Sequence, residues 1–285
     1  MKAIRLPDAS TFLERTLALR SAEPYLTNVM GTVATSVANG LRRYDEEFWW
    51  VIEDSSGTAR AMMMRTAPHK LVLSPMSAAA VRAAATAVLE HDSGIPGVTG
   101  SESLVGDFLD LFSEGSSRVT ERTIERRLWV YKLGLLQAPP PTPGSWRVAA
   151  AEDLELLTAW WWAFAEETDV ERYGLEEGLR GSIDEGRINL WSLDGLAVCA
   201  VGTSPAVEVP SGSLVRIGPV YTPPEQRRRG FAGQLTARVS SRLADQGHRV
   251  MLFTNSTDPA PNAVYTRLGY EKIDEVIECS LSSPD

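Results

Sequence analysis

Apolar residues at Phe231, Leu235, Val239 and Leu243 recur every four positions, the spacing of one buried helix face, and Gly247 is placed to end that helix. Strand-like runs flank it. "SLVRIGPVY" stops at Pro223-Pro224, and "RVMLFT" follows the helix. Upstream, "NLWSLDGLAVCAVG" is two apolar runs separated by Asp194-Gly195, a pair suited to the positive backbone angles of a tight hairpin. Before the hairpin, "WRVAA" reads as a short strand, and Glu152 to Glu167 as an amphipathic helix carrying Leu156, Leu157, Trp160, Trp161 and Phe164. A second helical stretch covers 171–184. Downstream, Pro259 and Pro261 interrupt the chain, Asn262 is placed to cap a short helix through Leu268, Gly269 ends it, and "YEKIDEVIECSL" alternates as a last strand.

The first half repeats this order more faintly. "FWWVIED", a Ser-Ser-Gly turn and "ARAMMMRT" predict a hairpin, followed by a strand at "KLVLS", a helix over 77–90, a short "GVTG" segment, a helix over 102–113 and a strand at "RRLWVYKLGLL". Such a recurrence points to an internal duplication of architecture. Between the halves lies "QAPPPTPGS", where proline forbids a continuous helix or an inner strand. The chain therefore divides into residues 1–137, a linker at 138–145, and residues 146–285.

Composition narrows the partners. With 285 residues, 44% of them apolar, and 8 tryptophans, the chain has ample material for buried cores. Its formal charge of -9 argues against nucleic acid or an anionic membrane as a general partner and suits an amine-bearing one better. Cys199 and Cys279 sit in apolar alternating runs and read as buried thiols in a reducing compartment. Three histidines, His69, His91 and His248, show no ligand-like spacing, so no catalytic metal is expected. No run approaches the roughly 20 apolar residues that cross a bilayer. The expected location is the cytoplasm.

The chemistry concentrates in "PPEQRRRGFAGQL". Where a strand turns into a helix, the first N–H groups of the helix have no internal acceptor, and aided by the helix dipole they bind phosphate oxygens. Gly230 and Gly233, with the small Ala232, allow close approach, and Arg227, Arg228 and Arg229 offer charge-assisted bonds to a pyrophosphate or a ribose phosphate. The competing reading is a solvated basic patch before an ordinary helix. The pattern is neither a Walker loop nor a G-x-G-x-x-G turn.

At this point the sequence resembles the GCN5-related N-acetyltransferase (GNAT) superfamily, whose phosphate signature [QR]-x-x-G-x-[GA] is matched by Arg227, Gly230 and Ala232. A second segment, "LFTNSTDPAPNAVYTRLGYEKI", matches downstream, and the resemblance covers about residues 145–281. It implies an α/β (α+β) fold of two tandem GNAT-like domains, each a mixed, mostly antiparallel twisted sheet flanked by helices, the first one degenerate. It also implies acetyl-coenzyme A as co-substrate, lying in a splay between the strands at 214–221 and 249–254. The backbone of Gly218, Pro219 and Val220 would then pair with the pantetheine arm. The N–H groups of Arg228, Arg229, Gly230, Phe231, Ala232 and Gly233 would hold the pyrophosphate, and Asn255 and Asn262 would contact the arm or order the second loop.

Tyr265 matches the family's general acid, with a core tyrosine as the alternative. The strand before the turn lacks the glutamate that many relatives use as base, and Arg216 is no substitute. Glu166 and Glu167, near the end of the first helix of this half, are the candidate bases, or else solvated helix-end charges. The junction "LVLSPMSAAAVRAAA" in the first half has no phosphate signature, so that half is expected to bind no coenzyme and to supply core contacts and one wall of the acceptor site. Met62 to Met64 and Trp160 to Trp162 fit core packing or a pocket wall. The expected activity is acetyl transfer to a primary amine of a small molecule. The alternative is a noncatalytic coenzyme-binding regulator. Edge strands and surface tryptophans admit a homodimer.

Overall fold

A computed structural model of the chain describes residues 1–91, 94–115, 121–168, 175–210 and 212–282. In the first half β1 (Lys2–Leu6) leads into α1 (Ala9–Arg15), α2 (Leu17–Ala22) and α3 (Asn28–Ala38). The hairpin β2 (Glu47–Glu53) and β3 (Ala59–Thr66) follows, then β4 (Leu71–Leu73), α4 (Ala78–His91), β5 (Gly97–Gly100), α5 (Glu102–Gly115) and β6 (Glu121–Leu133). The second half runs β7 (Ser145–Val148), α6 (Leu154–Thr168), α7 (Leu175–Asp184), β8 (Ile188–Leu193), β9 (Leu196–Thr203), β10 (Val207–Val209) and β11 (Gly212–Tyr221). It ends with α8 (Phe231–Asp245), β12 (Arg249–Asn255), α9 (Pro259–Arg267) and β13 (Tyr270–Ser282).

Local chemistry accounts for the turns. Asp194 and Gly195 take φ angles of 50° and 82°, the paired left-handed residues of a tight hairpin. Gly247 closes α8 at φ 84°. Two expectations need correction. Asn262 does not cap α9: the helix starts at Pro259, and the Asp258 carboxylate accepts the Ala260 N–H at 3.1 Å, the pairing of a strong N-cap residue with proline in the first turn. Leu156 is not on the inner face of α6 but 38% exposed, because Leu157, Trp160 and Trp161 define the buried stripe. Of the helix expected over 171–184, residues 171–174 lie outside the described residues.

The strands form one sheet in the order β1-β2-β3-β4-β5-β13-β6-β12-β11-β9-β8-β7, with β10 paired to β11 alone. Its centre is an exchange. β13, from the second half, lies between β5 and β6 of the first, while β6 lies between β13 and β12 of the second. Each half therefore completes its sheet with the other's last long strand. The two exchanged strands pair antiparallel from Tyr270 opposite Leu133 to Ser282 opposite Glu121. Arg126 pairs with Glu278 across this seam, and Trp129 Nε1 donates to Glu275 Oε2 at 2.7 Å.

Residues opposite each other in such a ladder share a face. Arg127 is opposite Ile277, which packs under α4 and α5, and Trp129, two residues on, packs with α8 and α9. Four helices thus cover one face. The other face carries α1 and α3 over Trp49, Val51, Met62 and Met64, and α6 and α7 over Leu190 and Ala200. Met62, Met63 and Met64 are all core, divided between the two faces.

Candidate active site

β11 and β12 run parallel from Leu214 to Ile217 against Arg249 to Leu252, and then part. β11 shifts register between Ile217 and Val220 and stays with β9, pairing Val220 with Val201 and Tyr221 with Ala200. β12 stays with β6, pairing Phe253 with Val130 and Asn255 with Leu128. The result is a wedge within the sheet. One wall is Gly218 to Tyr221, with no strand partner on its β12 side; the other is held in place by a strand of the first half. Gly218 sits at φ 142°, a backbone angle suited to glycine, and Pro219 brings no N–H to leave unpaired.

The phosphate-type turn follows directly. A single 3-10 turn over Pro224–Gln226 ends with the Arg227 N–H on Pro224 O at 3.3 Å. Left-handed angles at Arg228 (62°) and Gly230 (85°) then steer the chain into α8, with Gly230 as N-cap and no side-chain cap. Among the described residues, no acceptor engages the N–H groups of Arg228 through Gly233; the first bond of the helix runs from Gln234 N to Gly230 O at 3.0 Å. A row of free donors at the positive end of a helix dipole suits an anion. A side chain on Gly230 would be strained, and its Cβ would fall 2.9 Å from Thr142 Cγ2. At Gly233 a Cβ would meet Val264 Cγ1 at 3.6 Å, an ordinary contact, so packing alone does not require glycine there.

The arginines are not equivalent. Arg227 Nε donates to Thr222 O at 2.8 Å and its Nη2 to both Glu167 oxygens at 2.6 Å, so part of its guanidinium is already engaged within the chain. Arg229 lies over the Phe231 ring at 4.8 Å and donates to Gln226. Phe231, 1% exposed, anchors the turn in the core.

Asn255, at the end of β12, accepts from Thr257 N at 3.1 Å and Thr257 Oγ1 at 2.9 Å. The Asn262 Nδ2 donates to Asn255 O at 3.0 Å and Asp258 O at 2.6 Å, so Asn262 orders this loop, while its Oδ1 is buried without a partner among the described residues. Tyr265, on the inner face of α9, is buried in the core shared with α8 and Cys199. Its ring meets Tyr270 edge-on at 6.0 Å, and its hydroxyl makes no hydrogen bond among the described residues. Burial, reinforced by Cys199 and Asp258, holds the phenol well above the usual tyrosine range. Cys199 accepts from Thr222 Oγ1 at 3.2 Å, and burial pushes its thiol up to about 12.

Glu166 and Glu167 end α6 in exposed positions, and only Glu167 has a partner among the described residues. Its pairing with Arg227 ties α6 to the turn. Beside it Tyr221 packs on Trp160, ring centres 5.9 Å apart, and burial with the Glu167 charge raises its phenol. The sequence reading passed over Tyr221 and treated Arg216 only as a missing glutamate. Arg216 was nevertheless signalled by a lone charge in the apolar run "LVRIGPVY". Its Nη1 donates to Asn28 Oδ1 of the first half at 3.2 Å. Among the described residues no group of three or more His, Cys, Asp or Glu is arranged to hold a metal, and no helix is long and apolar enough to cross a membrane.

The family model of FR47-like proteins matches residues 208–278, the span from β10 through most of β13. No curated protein matches the sequence. Solved structures match over the full length. An acetyltransferase of the GNAT family from Colwellia psychrerythraea is 12% identical, with a TM-score of 0.59 and 100% of both chains covered. A Drosophila protein is 15% identical, with a TM-score of 0.66, covering 99% of this chain and 98% of its own. A tandem GNAT protein from the clavulanic acid biosynthesis pathway is 12% identical, with a TM-score of 0.58, covering 100% and 99%. The chain thus carries a segment similar to FR47-like proteins in its second half and has, from end to end, the fold of a tandem GNAT protein.

Proposed function

We propose that the protein is an acetyl-coenzyme A-dependent N-acetyltransferase acting on a primary amine of a small molecule, by direct transfer with both substrates bound. Residues 1–137 and 146–285, joined by 138–145, are its two domains. The observation that carries this reading is the run of free N–H groups from Arg228 to Gly233 at the end of the strand that opens the wedge.

The residues present fit the donor. The N–H row takes the diphosphate, the unpaired edge at Gly218 to Val220 takes the amides of the arm, and Asn255 and Asn262 set the opposite loop. When bound, acetyl-coenzyme A supplies the activated acetyl thioester. The amine nitrogen would form the new C–N bond as the C–S bond breaks, its proton passing to Glu166 directly or through water, while the Tyr265 phenol protonates the departing sulfur and regains its proton from solvent afterwards. A phenol held protonated by burial is a competent donor once the sulfur carries charge in a dry site. Tyr265 lies on the α8–α9 face and α6 on the other, so leaving group and nucleophile are served from opposite sides of the sheet. Glu166 remains the candidate base; Glu167 serves as a brace.

Calorimetry with acetyl-coenzyme A and a thiol-release assay over pooled amines test this. Uptake abolished by Gly230→Glu, with thiol release, is the expected result. Uptake without release for any pool favours the regulator, and no uptake at all defeats both readings.

A further inference from the structure

Arg216 sits on β11 one residue before its pairing with β12 ends at Ile217 and Leu252. It lies opposite Met251, on the face covered by the first helices rather than the face of Tyr265. Protein packs around its guanidinium, yet part of the side chain stays accessible, as for a residue lining a deep recess. Phe253 forms one side, its ring centre 5.8 Å from the guanidinium carbon. Asn28 forms another: fully buried, it accepts Nη1 at 3.2 Å and leaves its own Nδ2 without a partner among the described residues. Burial, with a smaller like-charge effect from Arg42, pushes the Arg216 guanidinium down to about 10; Arg42 itself is exposed and donates to the Tyr44 hydroxyl at 3.4 Å.

Among the described residues no carboxylate pairs with either arginine. The contrast with other enclosed arginines is plain. Arg20 ends on Leu13 O, Glu208 O and Thr16 Oγ1, and Arg126 ends on Glu278. Arg216 has one amide oxygen for its donors. A recess with an unpaired cation and an orphaned amide, and no counter-charge among the described residues, favours an incoming anion. A guanidinium fork matches the two oxygens of a carboxylate. The recess adjoins the wedge, since Gly218 is only two strand residues, about 7 Å, beyond Arg216.

We propose that the acceptor is an amine that also carries a carboxylate, as an amino acid does, and that Arg216, beside the Asn28 amide, holds that carboxylate. The amine's role rests on the acetyltransferase reading; the carboxylate site does not. The recess is built by both halves, Arg216 from one and Asn28 from the other.

Calorimetry on the full chain without coenzyme tests the site with N-acetyl amino acids of small, apolar, acidic and basic side chains. Each is compared with the matched N-acetyl amine lacking the carboxylate, and N-acetyl phosphoethanolamine serves as a phosphate arm. At least one carboxylate compound binds 10-fold or more tighter than its neutral partner. Arg216→Met erases the preference, and Arg216→Lys, which keeps the charge but loses the fork, reduces it at least fivefold. Equal binding within every pair, no binding by any carboxylate, a preference that survives Arg216→Met, or a 10-fold preference for phosphate overturns the proposal. Carboxylate binding without thiol release in the presence of acetyl-coenzyme A sinks the enzymatic reading alone.

Discussion

Glu167, at the end of α6, receives Arg227 Nη2 on both of its carboxylate oxygens at 2.6 Å. Both side chains are 41% exposed, so the pair itself is worth about 0–1 kcal/mol. Its effect is positional: it fixes the residue that opens the phosphate-type turn. Glu167→Gln is expected to weaken acetyl-coenzyme A binding about two- to fivefold, with the pH profile of turnover unchanged. A general base in this position would instead show a turnover loss of about 10²-fold or more and a displaced acidic limb.

Tyr265→Phe removes a hydroxyl that has no hydrogen-bond partner among the described residues, and so leaves stability within about 1 kcal/mol. Turnover is expected to fall by about 10²–10⁴ while calorimetric binding of the coenzyme is retained. Undiminished turnover removes Tyr265 from the mechanism.

Two glycines in one turn should behave differently. Gly230→Ala places an L-residue at φ 85° with its Cβ 2.9 Å from Thr142, which costs about 1–2 kcal/mol and misaligns the donor row. Gly233→Ala meets only an ordinary contact and gains about 0.5–1 kcal/mol of helix propensity. Thermal unfolding should rank Gly233→Ala at or above the native chain and Gly230→Ala below it. Coenzyme affinity falls at least 10-fold for Gly230→Ala; unaltered affinity there contradicts the role of the turn.

Alkaline pH should destabilise the fold. In the folded chain the Cys199 thiol is raised to about 12 by burial, against about 8.5 for a free thiol, so between these values the unfolded chain loses a proton that the folded one keeps. Stability present below about pH 8.5 is therefore lost as pH climbs toward 12. Tyr265 and Tyr270, also raised by burial, add to the loss above about pH 10. The urea midpoint should be lower at pH 10.5 than at pH 7.5, with a smaller drop in Cys199→Ala. A midpoint that rises with pH excludes this assignment.

What was legible in the sequence was local. The four-residue spacing from Phe231 to Leu243, the Asp194-Gly195 hairpin and the arginine-glycine turn each declare themselves within a few residues. β1 and α1 to α3 were missed because the helices bury polar groups, Thr16, Arg20, Asn28, Thr32 and Ser36, that mask an apolar period. Asp8, whose carboxylate caps α1 through the Thr11 N–H at 2.7 Å, was the available signal. The α9 start was misplaced because two residues able to cap, Asp258 and Asn262, lie four apart. The Arg216–Asn28 contact spans 188 residues, and nothing in either neighbourhood names the other. The alternation in β6 and β13 likewise shows that each is a strand but not which strands adjoin it.

The crossing of β6 and β13 into each other's half makes the protein a clasp rather than a pair of beads. Either half alone would lack a central strand and expose a raw sheet margin open to unwanted association. Loosening one half must therefore loosen the other, and the chain should melt as a single cooperative body. For descent, the clasp favours a forebear in which two copies of one shorter chain interlocked and were later joined end to end.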